Sequence, residues 1–218
     1  MERETAYIID EMHKLGISLT EQQSEQLYEY YRLLVEWNSF MNLTGITEFS
    51  EVVQKHFVDS LSIVKVKNMN DVDNLIDVGT GAGFPGLPLK IVFPHLKVTL
   101  LDSLNKRIDF LNAVIEKTGL TGIETIHGRA EDFAKPGLKR EIYDLCVSRA
   151  VANLATLSEY CLPYVKIGGE FIPYKSGEVA DELQDAKSAV FLLGGKVESC
   201  ENFDLPDSDI HRSLGRIK

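Results

Sequence analysis

Cysteine is scarce and scattered: three in 218 residues, Cys146, Cys161 and Cys200, with no paired spacing. That excludes a disulfide framework and a cysteine metal cluster, and it leaves reduced thiols that serve as small buried hydrophobes in a cytoplasmic protein. No apolar run approaches the roughly 20 residues that span a bilayer, and Met1-Glu2-Arg3-Glu4 is no secretory leader. Positive charge is the other shortage. Lys and Arg number 23 against 33 Asp and Glu, a formal charge of −10. A surface that coats nucleic acid all over is excluded, whereas a local basic patch is not. No Gly-x-Ser-x-Gly elbow is present, which removes the support a nucleophilic hydrolase would need.

What is present falls into two parts. Residues 1–70 read as a helical cap with no glycine-rich strand turns. Tyr7, Ile8, Met12 and Leu15 form a helical stripe that stops at Gly16. Thr20 with Gln23 makes a capping box ahead of a helix carrying Leu27, Tyr30, Tyr31, Leu34 and Trp37. The pattern predicts a third helix over Val52–Val66. Residues 71–218 alternate short apolar runs with amphipathic stretches. Strands are expected at Leu75–Val78, Val98–Leu101, Ile123–Ile126, Tyr143–Val147, Glu170–Tyr174, Lys196–Glu201 and near Ile210–Ile217. Helices are expected at Gly86–Val92, Leu104–Lys117, Leu154–Tyr160 and Val179–Phe191. This alternation predicts an α/β fold, a doubly wound, mostly parallel, seven-stranded Rossmann-like sheet with an N-terminal helical cap. The last two strands have no long helix between them and predict an antiparallel hairpin at the sheet edge.

The most informative segment is Leu75–Gly86, an apolar run ending in Asp77 and followed by Gly79, Gly81, Gly83 and Gly86. A strand, a glycine turn and a helix N-terminus receive nucleotide-like ligands in such sheets. Gly81-Ala82-Gly83-Phe84-Pro85-Gly86 also matches G-x-G-x-x-G, which suits a nicotinamide cofactor equally. Asp102 ends the second strand about 20 residues on, where an acid can bind both ribose hydroxyls; it is also placed to cap the Leu104 helix. Asp77 favours S-adenosylmethionine (SAM). An acid beside the ligand repels a pyrophosphate and attracts an amine and a sulfonium. Arg129-Ala130-Glu131-Asp132, after the third strand, stands where such folds hold an adenine, an ordinary solvated loop being the alternative. The fourth strand ends in Ser148 and Arg149, so Arg149 should face the cleft and take a carboxylate, a phosphate or a base edge. That strand lacks the Asn/Asp-Pro-Pro-aromatic run of exocyclic-amine methyltransferases. Asn38, Asn42, His56, Asp59 and Ser60 form a second polar group. His56, Asp59 and Ser60 share a helix face by spacing, but adjacent turns do not make a catalytic triad.

Together, Asn38–Thr44, His56–Leu61, Asp77–Gly86, Gly128–Glu131 and Ser148-Arg149-Ala150-Val151 resemble the RsmG family, also called GidB, of bacterial 16S rRNA guanine-N7 methyltransferases. The resemblance runs from the second helix to the final strand. It implies methyl transfer from SAM to ring nitrogen 7 of a guanine in 16S rRNA, with the small ribosomal subunit or its RNA as partner. It carries cofactor contacts onto Gly79, Phe84, Ala130, Glu131 and Arg149, with Asp102 at the ribose. Asp77, Gly81 and Gly83 complete the expected cofactor site. Arg149 and Lys175 are candidates for holding the guanine or its phosphate. Nitrogen 7 carries an available lone pair and no proton, so no general base is required and no catalytic residue is assigned. A monomer is expected, without metal or membrane. Two departures from the family are visible: the chain ends at Lys218, where many relatives continue into a basic tail, and Ser176 follows Lys175 where relatives often have glycine. Other readings remain open: a small-molecule SAM methyltransferase with a helical lid, a nicotinamide-dependent oxidoreductase, and a nucleotide-binding module without turnover. Docking to RNA predicts that Lys106, Arg107, Arg129, Arg140 and Arg149 border the cleft mouth or a neighbouring face.

Overall fold

The structure, a computed structural model, describes residues 1–149, 152–177 and 179–218. Ala150 and Val151 of the run after Arg149 lie outside the described residues. Helix α1 spans Glu2–His13 and α2 spans Glu21–Met41. The capping box forms as its sequence predicts: Gln23 N donates to Thr20 Oγ1 at 3.2 Å while Gln23 Oε1 accepts from Thr20 N at 2.9 Å. The same glutamine amide also donates to the carbonyls of Ile91 and Val92. These are the final carbonyls of a later helix, so one side chain ends one helix and starts another.

The single helix expected over Val52–Val66 is broken. Short α3 (Phe49–Val52) runs into a π turn at Val53–Val58, then α4 (Asp59–Leu61), then a 3-10 turn at Ser62–Lys65. Side chains compete for its carbonyls: Ser60 Oγ bonds His56 O, Ser62 Oγ bonds Asp59 O, and Tyr174 OH bonds Ser60 O. A regular ladder gives way where such partners intervene.

Strands β1 (Asn74–Val78), β2 (Lys97–Asp102), β3 (Ile123–His127), β4 (Tyr143–Arg149) and β5 (Val165–Ser176) run parallel. Strands β6 (Val197–Asp204) and β7 (His211–Ile217) pair antiparallel, with β7 inserted between β5 and β6. The order β3-β2-β1-β4-β5-β7-β6 reverses direction between β1 and β4, the switch point where a cleft opens beyond the strand ends. Helices α5 (Gly86–Val92), α6 (Asn105–Thr118), α7 (Ala130–Phe133), α8 (Leu154–Cys161) and α9 (Ala180–Leu192) complete the fold.

Strand alternation sorts the core into two faces. Leu75, Leu100, Leu145, Val147, Ile172 and Tyr174 pack against α5, α6 and the N-terminal helices. Ile76, Val78, Leu101, Cys146 and Phe171 face α8 and α9. One apolar cluster therefore joins residues 1–70 to the sheet, with Ile8, Leu27, Tyr30, Leu34 and Phe57 wholly buried in it. Cys146 and Cys161 are buried on the other face, where desolvation, reinforced by Cys161, pushes the Cys146 thiol up. Among the described residues, no helix is long and apolar enough to cross a membrane.

Tyr30 is the joint between cap and glycine turn. Its ring stacks on Phe84 at 5.2 Å and its hydroxyl donates to Ala82 O. Tyr30→Phe leaves that buried carbonyl without its donor and should cost about 1–3 kcal/mol. Urea unfolding should show a lower midpoint at unchanged slope; an unchanged midpoint would contradict this account of the joint.

Candidate functional site

The glycine turn is held from beneath. Asp77 points to the α5 face and is fully buried; its Oδ2 accepts from Thr80 Oγ1 at 2.7 Å and from Gly86 N at 2.8 Å. Burial pushes this carboxyl up to about 7, the two hydrogen bonds opposing the shift. Asp77 therefore stands behind the turn and does not line its cavity. Gly83 and Gly86 are small for packing: a Cβ would come within 2.4 Å of Leu87 Cδ1 at the first and of Leu100 Cδ2 at the second.

Nearly every amide of the turn is already committed. Gly79 and Thr80 donate to Leu101 O, Gly83 and Phe84 to Thr80 O, and Gly86 to Asp77. Gly81 N donates to Asp102 Oδ2 at 2.9 Å. A dinucleotide fold offers such amides to a pyrophosphate. Here they hold the turn itself, so the G-x-G-x-x-G match does not build a phosphate cradle.

Two cavities lie side by side along the carboxyl edge of the sheet. The first, about 210 Å³, sits beyond β1, β2 and β3 and is lined by Val78, Gly79, Leu101, Asp102, Ser103, Arg129, Ala130, Glu131 and Tyr160. Apolar walls from Val78, Leu101 and Tyr160 face an acid at the end of β2 and the start of α7. This donor and acceptor set fits a nucleoside: Asp102 can accept from a ribose diol, and the Ala130–Glu131 turn offers amide and carboxylate to a base edge. Of the expected cofactor residues, Gly79, Asp102, Ala130 and Glu131 line this cavity. Gly81 joins the turn to Asp102, and Asp77, Gly83 and Phe84 lie beneath.

The second cavity, about 480 Å³, sits beyond β4 and β5 and is lined by Ile46, Lys55, His56, Arg149, Tyr174, Lys175, Ser176, Glu182 and Arg212. Strand alternation sends Arg149 toward the π turn. Its Nη1 donates to Asp59 Oδ2 at 2.9 Å and Lys55 O at 3.2 Å, and its Nη2 donates to His56 Nδ1 at 3.1 Å. Asp59 gives its other oxygen to Arg212 Nε at 2.7 Å. His56, accepting at Nδ1, donates from Nε2 to Thr44 Oγ1 at 3.0 Å, and Asn38 Oδ1 accepts from Thr44 N. The ring stacks on Phe84 at 4.5 Å, and the Arg149 guanidinium lies 5.0 Å from the same Phe84 centroid. Asn38, His56, Asp59 and Ser60 thus serve one purpose, the placement of Arg149 and of the Thr44–Ile46 loop. Burial, then the charges of Arg149, Arg212 and Lys55, push His56 down to about 3, so it stays neutral.

Lys175 lines the second cavity too, and its ammonium is held by partners there. It points to the α9 face, where Nζ donates to Ala152 O at 2.6 Å and Glu182 Oε1 at 2.7 Å; Glu182 also accepts from Leu154 N. Lys175 clamps the chain just past β4. The expected basic rim is corrected at one place. Arg129 and Arg149 line the cavities, Arg107 pairs with Asp102, and Lys106 donates to Met41 O. Arg140, however, precedes β4 and lines a groove at the opposite end of the sheet with Pro163 and Lys166. Sequence reasoning missed Ser103, Tyr160, Ile46, Lys55, Tyr174 and Glu182 as cavity residues. Arg212 stands near the end of the sequence, and its return beside β5 has no local signal. Among the described residues, no group of three or more His, Cys, Asp or Glu is placed to hold a metal.

A family model described as rRNA small subunit methyltransferase G matches residues 23–211. The ribosomal RNA small subunit methyltransferase G of Lachnoclostridium phytofermentans is 56% identical over 216 residues, covering 99% of this chain and 89% of that protein. Its namesake from Brevibacillus brevis is 50% identical, covering 91% and 84%. Among solved structures, M. jannaschii TYW2 in complex with AdoMet aligns with a TM-score of 0.60 at 13% identity, covering 76% of each chain. A SAM-dependent methyltransferase from Aquifex aeolicus aligns at 0.55 and 16% identity, covering 77% of this chain and 92% of that one. These last two are likenesses of fold.

The two shifted groups predict opposite pH slopes. Between about pH 6.5 and 3 the unfolded chain binds a proton at His56 that the folded chain refuses, so stability falls as pH drops. Between about pH 4 and 7 the folded chain keeps a proton on Asp77 that the unfolded chain loses, so stability falls as pH rises. Chemical denaturation across pH should show the first slope flattened in His56→Gln and the second in Asp77→Asn. Profiles parallel to the wild type would contradict both assignments.

Proposed function

This chain belongs to the rRNA small subunit methyltransferase G family, and on that premise we propose that it methylates ring nitrogen 7 of a guanine in the 16S rRNA of the small ribosomal subunit. It is a SAM-dependent methyltransferase; bound SAM supplies an electrophilic methyl group on a sulfonium. It acts as a monomer in the bacterial cytoplasm. The observation that carries the reading is the pairing of the two cavities across the β1–β4 switch point, one lined by Asp102 and Glu131 against apolar walls, the other by Lys55, Arg149, Lys175 and Arg212.

The division of labour follows from the residues. Asp102, Ala130, Glu131 and Gly79 hold the nucleoside end of the cofactor, and Tyr160 and Leu101 shield it from water. Arg149 stands at the end of β4, beside the boundary between the cavities, ready for the carboxylate of the cofactor or a substrate phosphate. Lys55 and Arg212 widen this cationic wall, against Glu182 on the wall and Asp59 behind it. Guanine nitrogen 7 already presents its lone pair, so the residues need only orient the ring and exclude water, which is catalysis by proximity and orientation. Neutral His56 is engaged on both nitrogens in holding Arg149 and Thr44, in keeping with a reaction that needs no base.

Methyl transfer from labelled SAM to unmodified small subunits, with naked 16S rRNA alongside, should yield 7-methylguanosine on nucleoside digestion. Label in another nucleoside, or none with either RNA, would refute the assignment. Arg149→Ala should weaken both cofactor binding and transfer by about tenfold or more, the scale of a lost charged hydrogen bond. Lys55→Ala should raise the KM for subunits and lower the salt slope by about one, with cofactor affinity unchanged. Intact affinity and transfer in Arg149→Ala would remove that residue from the site.

A further inference from the structure

The Asp102 carboxylate is only 3% exposed, and its acceptor capacity is full. Each oxygen offers two acceptor positions. Oδ2 accepts from Gly81 N at 2.9 Å and from Arg107 Nη1 at 3.1 Å; Oδ1 accepts from Leu104 N at 3.0 Å and from the same Arg107 nitrogen at 3.4 Å. Two donors are backbone amides fixed by the glycine turn and by the start of α6. The third is a long side chain, 35% exposed, that can swing away.

A ribose diol brings two hydroxyl donors. Only the two positions held by Arg107 can be released to it without unmaking the turn or the helix start. We propose that Arg107 is a counter-ion displaced from Asp102 by the ribose of the cofactor, and that the freed guanidinium becomes an RNA phosphate contact at the cleft mouth. Residue 107 lies in the first turn of α6, next to Lys106, whose ammonium reaches Met41 O at the end of α2. Cofactor binding would then add a cation to the edge on which RNA docks, in a chain whose overall charge is −10. Linkage makes this reciprocal: RNA that captures Arg107 also favours the ribose on Asp102. The inference rests on the methyltransferase reading and assigns its site a positive coupling between cofactor and RNA.

S-adenosylhomocysteine is the probe, because its net charge is near zero and its own salt dependence is small. Calorimetry on the full-length wild type and on Arg107→Gln should give about two- to fivefold tighter binding to the variant, the scale of a partly exposed ion pair. Raising ionic strength should tighten binding to the wild type, because salt screens the pair that must break, and leave Arg107→Gln unmoved. Arg107→Lys, which keeps the charge, should retain the salt response. Saturating S-adenosylhomocysteine should tighten binding of unmodified small subunits to the wild type about two- to fivefold, and less to Arg107→Gln. Equal affinities and equal salt slopes in the two proteins would overturn the displacement. Equal tightening of subunit binding would overturn the coupling. Absence of S-adenosylhomocysteine binding to both would overturn the inference along with the methyltransferase reading, whereas the first two results leave that reading intact.

Discussion

A single buried carboxylate bears two guanidiniums, and the functional edge of the molecule is arranged around it. Asp59, 2% exposed, binds Arg149 through one oxygen and Arg212 through the other. The three residues come from the N-terminal helices, from the central parallel strand β4 and from the antiparallel strand β7. Neither arginine is neutralised alone, since one negative charge faces two positive ones. Removing the acid would leave two desolvated cations, a far larger penalty than the net value of either pair. The break in the helix at Val53–Val58 follows from the same hub. His56, the Lys55 carbonyl and Asp59 must all meet one guanidinium, and an unbroken α-helical ladder would keep that carbonyl for itself.

The second carboxylate, Asp77, does for the glycine turn what Asp59 does for the cationic cavity. It draws Thr80 and the first amide of α5 into the turn, while Asp102 takes Gly81 N. The electrostatic argument for SAM over a dinucleotide reaches the right end by a different route. Asp77 does not repel a pyrophosphate across open space; it consumes an amide on which a pyrophosphate would sit. Its pKa near 7 fits that buried position, where charge is costly and hydrogen bonds only partly offset the cost. What the turn presents to the first cavity is the Gly79 backbone, beside the nearly buried Asp102 carboxylate, features suited to a nucleoside.

Fold and site were unequally legible in the sequence. Alternating apolar runs, glycine turns and a capping box are local signals, and they located all seven strands, the edge hairpin and the start of α2. Gly79, Asp102, Ala130 and Glu131 follow strands directly, so their arrival at one cavity follows from topology. Arg149 was legible for the same reason. The π turn was not, because its cause is tertiary: Tyr174 and Arg149 are more than a hundred and nearly a hundred residues away from the carbonyls they take. Lys175 alternates with Tyr174 and meets Glu182 of α9 at the wall of the second cavity, a pairing with no local signal. Arg140 was misplaced because charge alone does not say at which end of a strand a residue falls. Arg212 needed the return of β7 to the side of β5.

The acidity of the chain as a whole gains meaning from this arrangement. A protein with ten excess negative charges repels the RNA backbone over most of its surface. Among the described residues, cations gather along the mouth formed by Lys55, Arg149 and Arg212, with Lys106 and Arg129 farther along the edge. Such a field disfavours wrapping along a duplex, which needs positive charge spread over many phosphates. A focal patch of cations suits contact at one or a few phosphates. Broad repulsion with one focal attraction also limits nonproductive binding elsewhere on a ribosomal subunit, where phosphate is abundant and the target guanine is one among many.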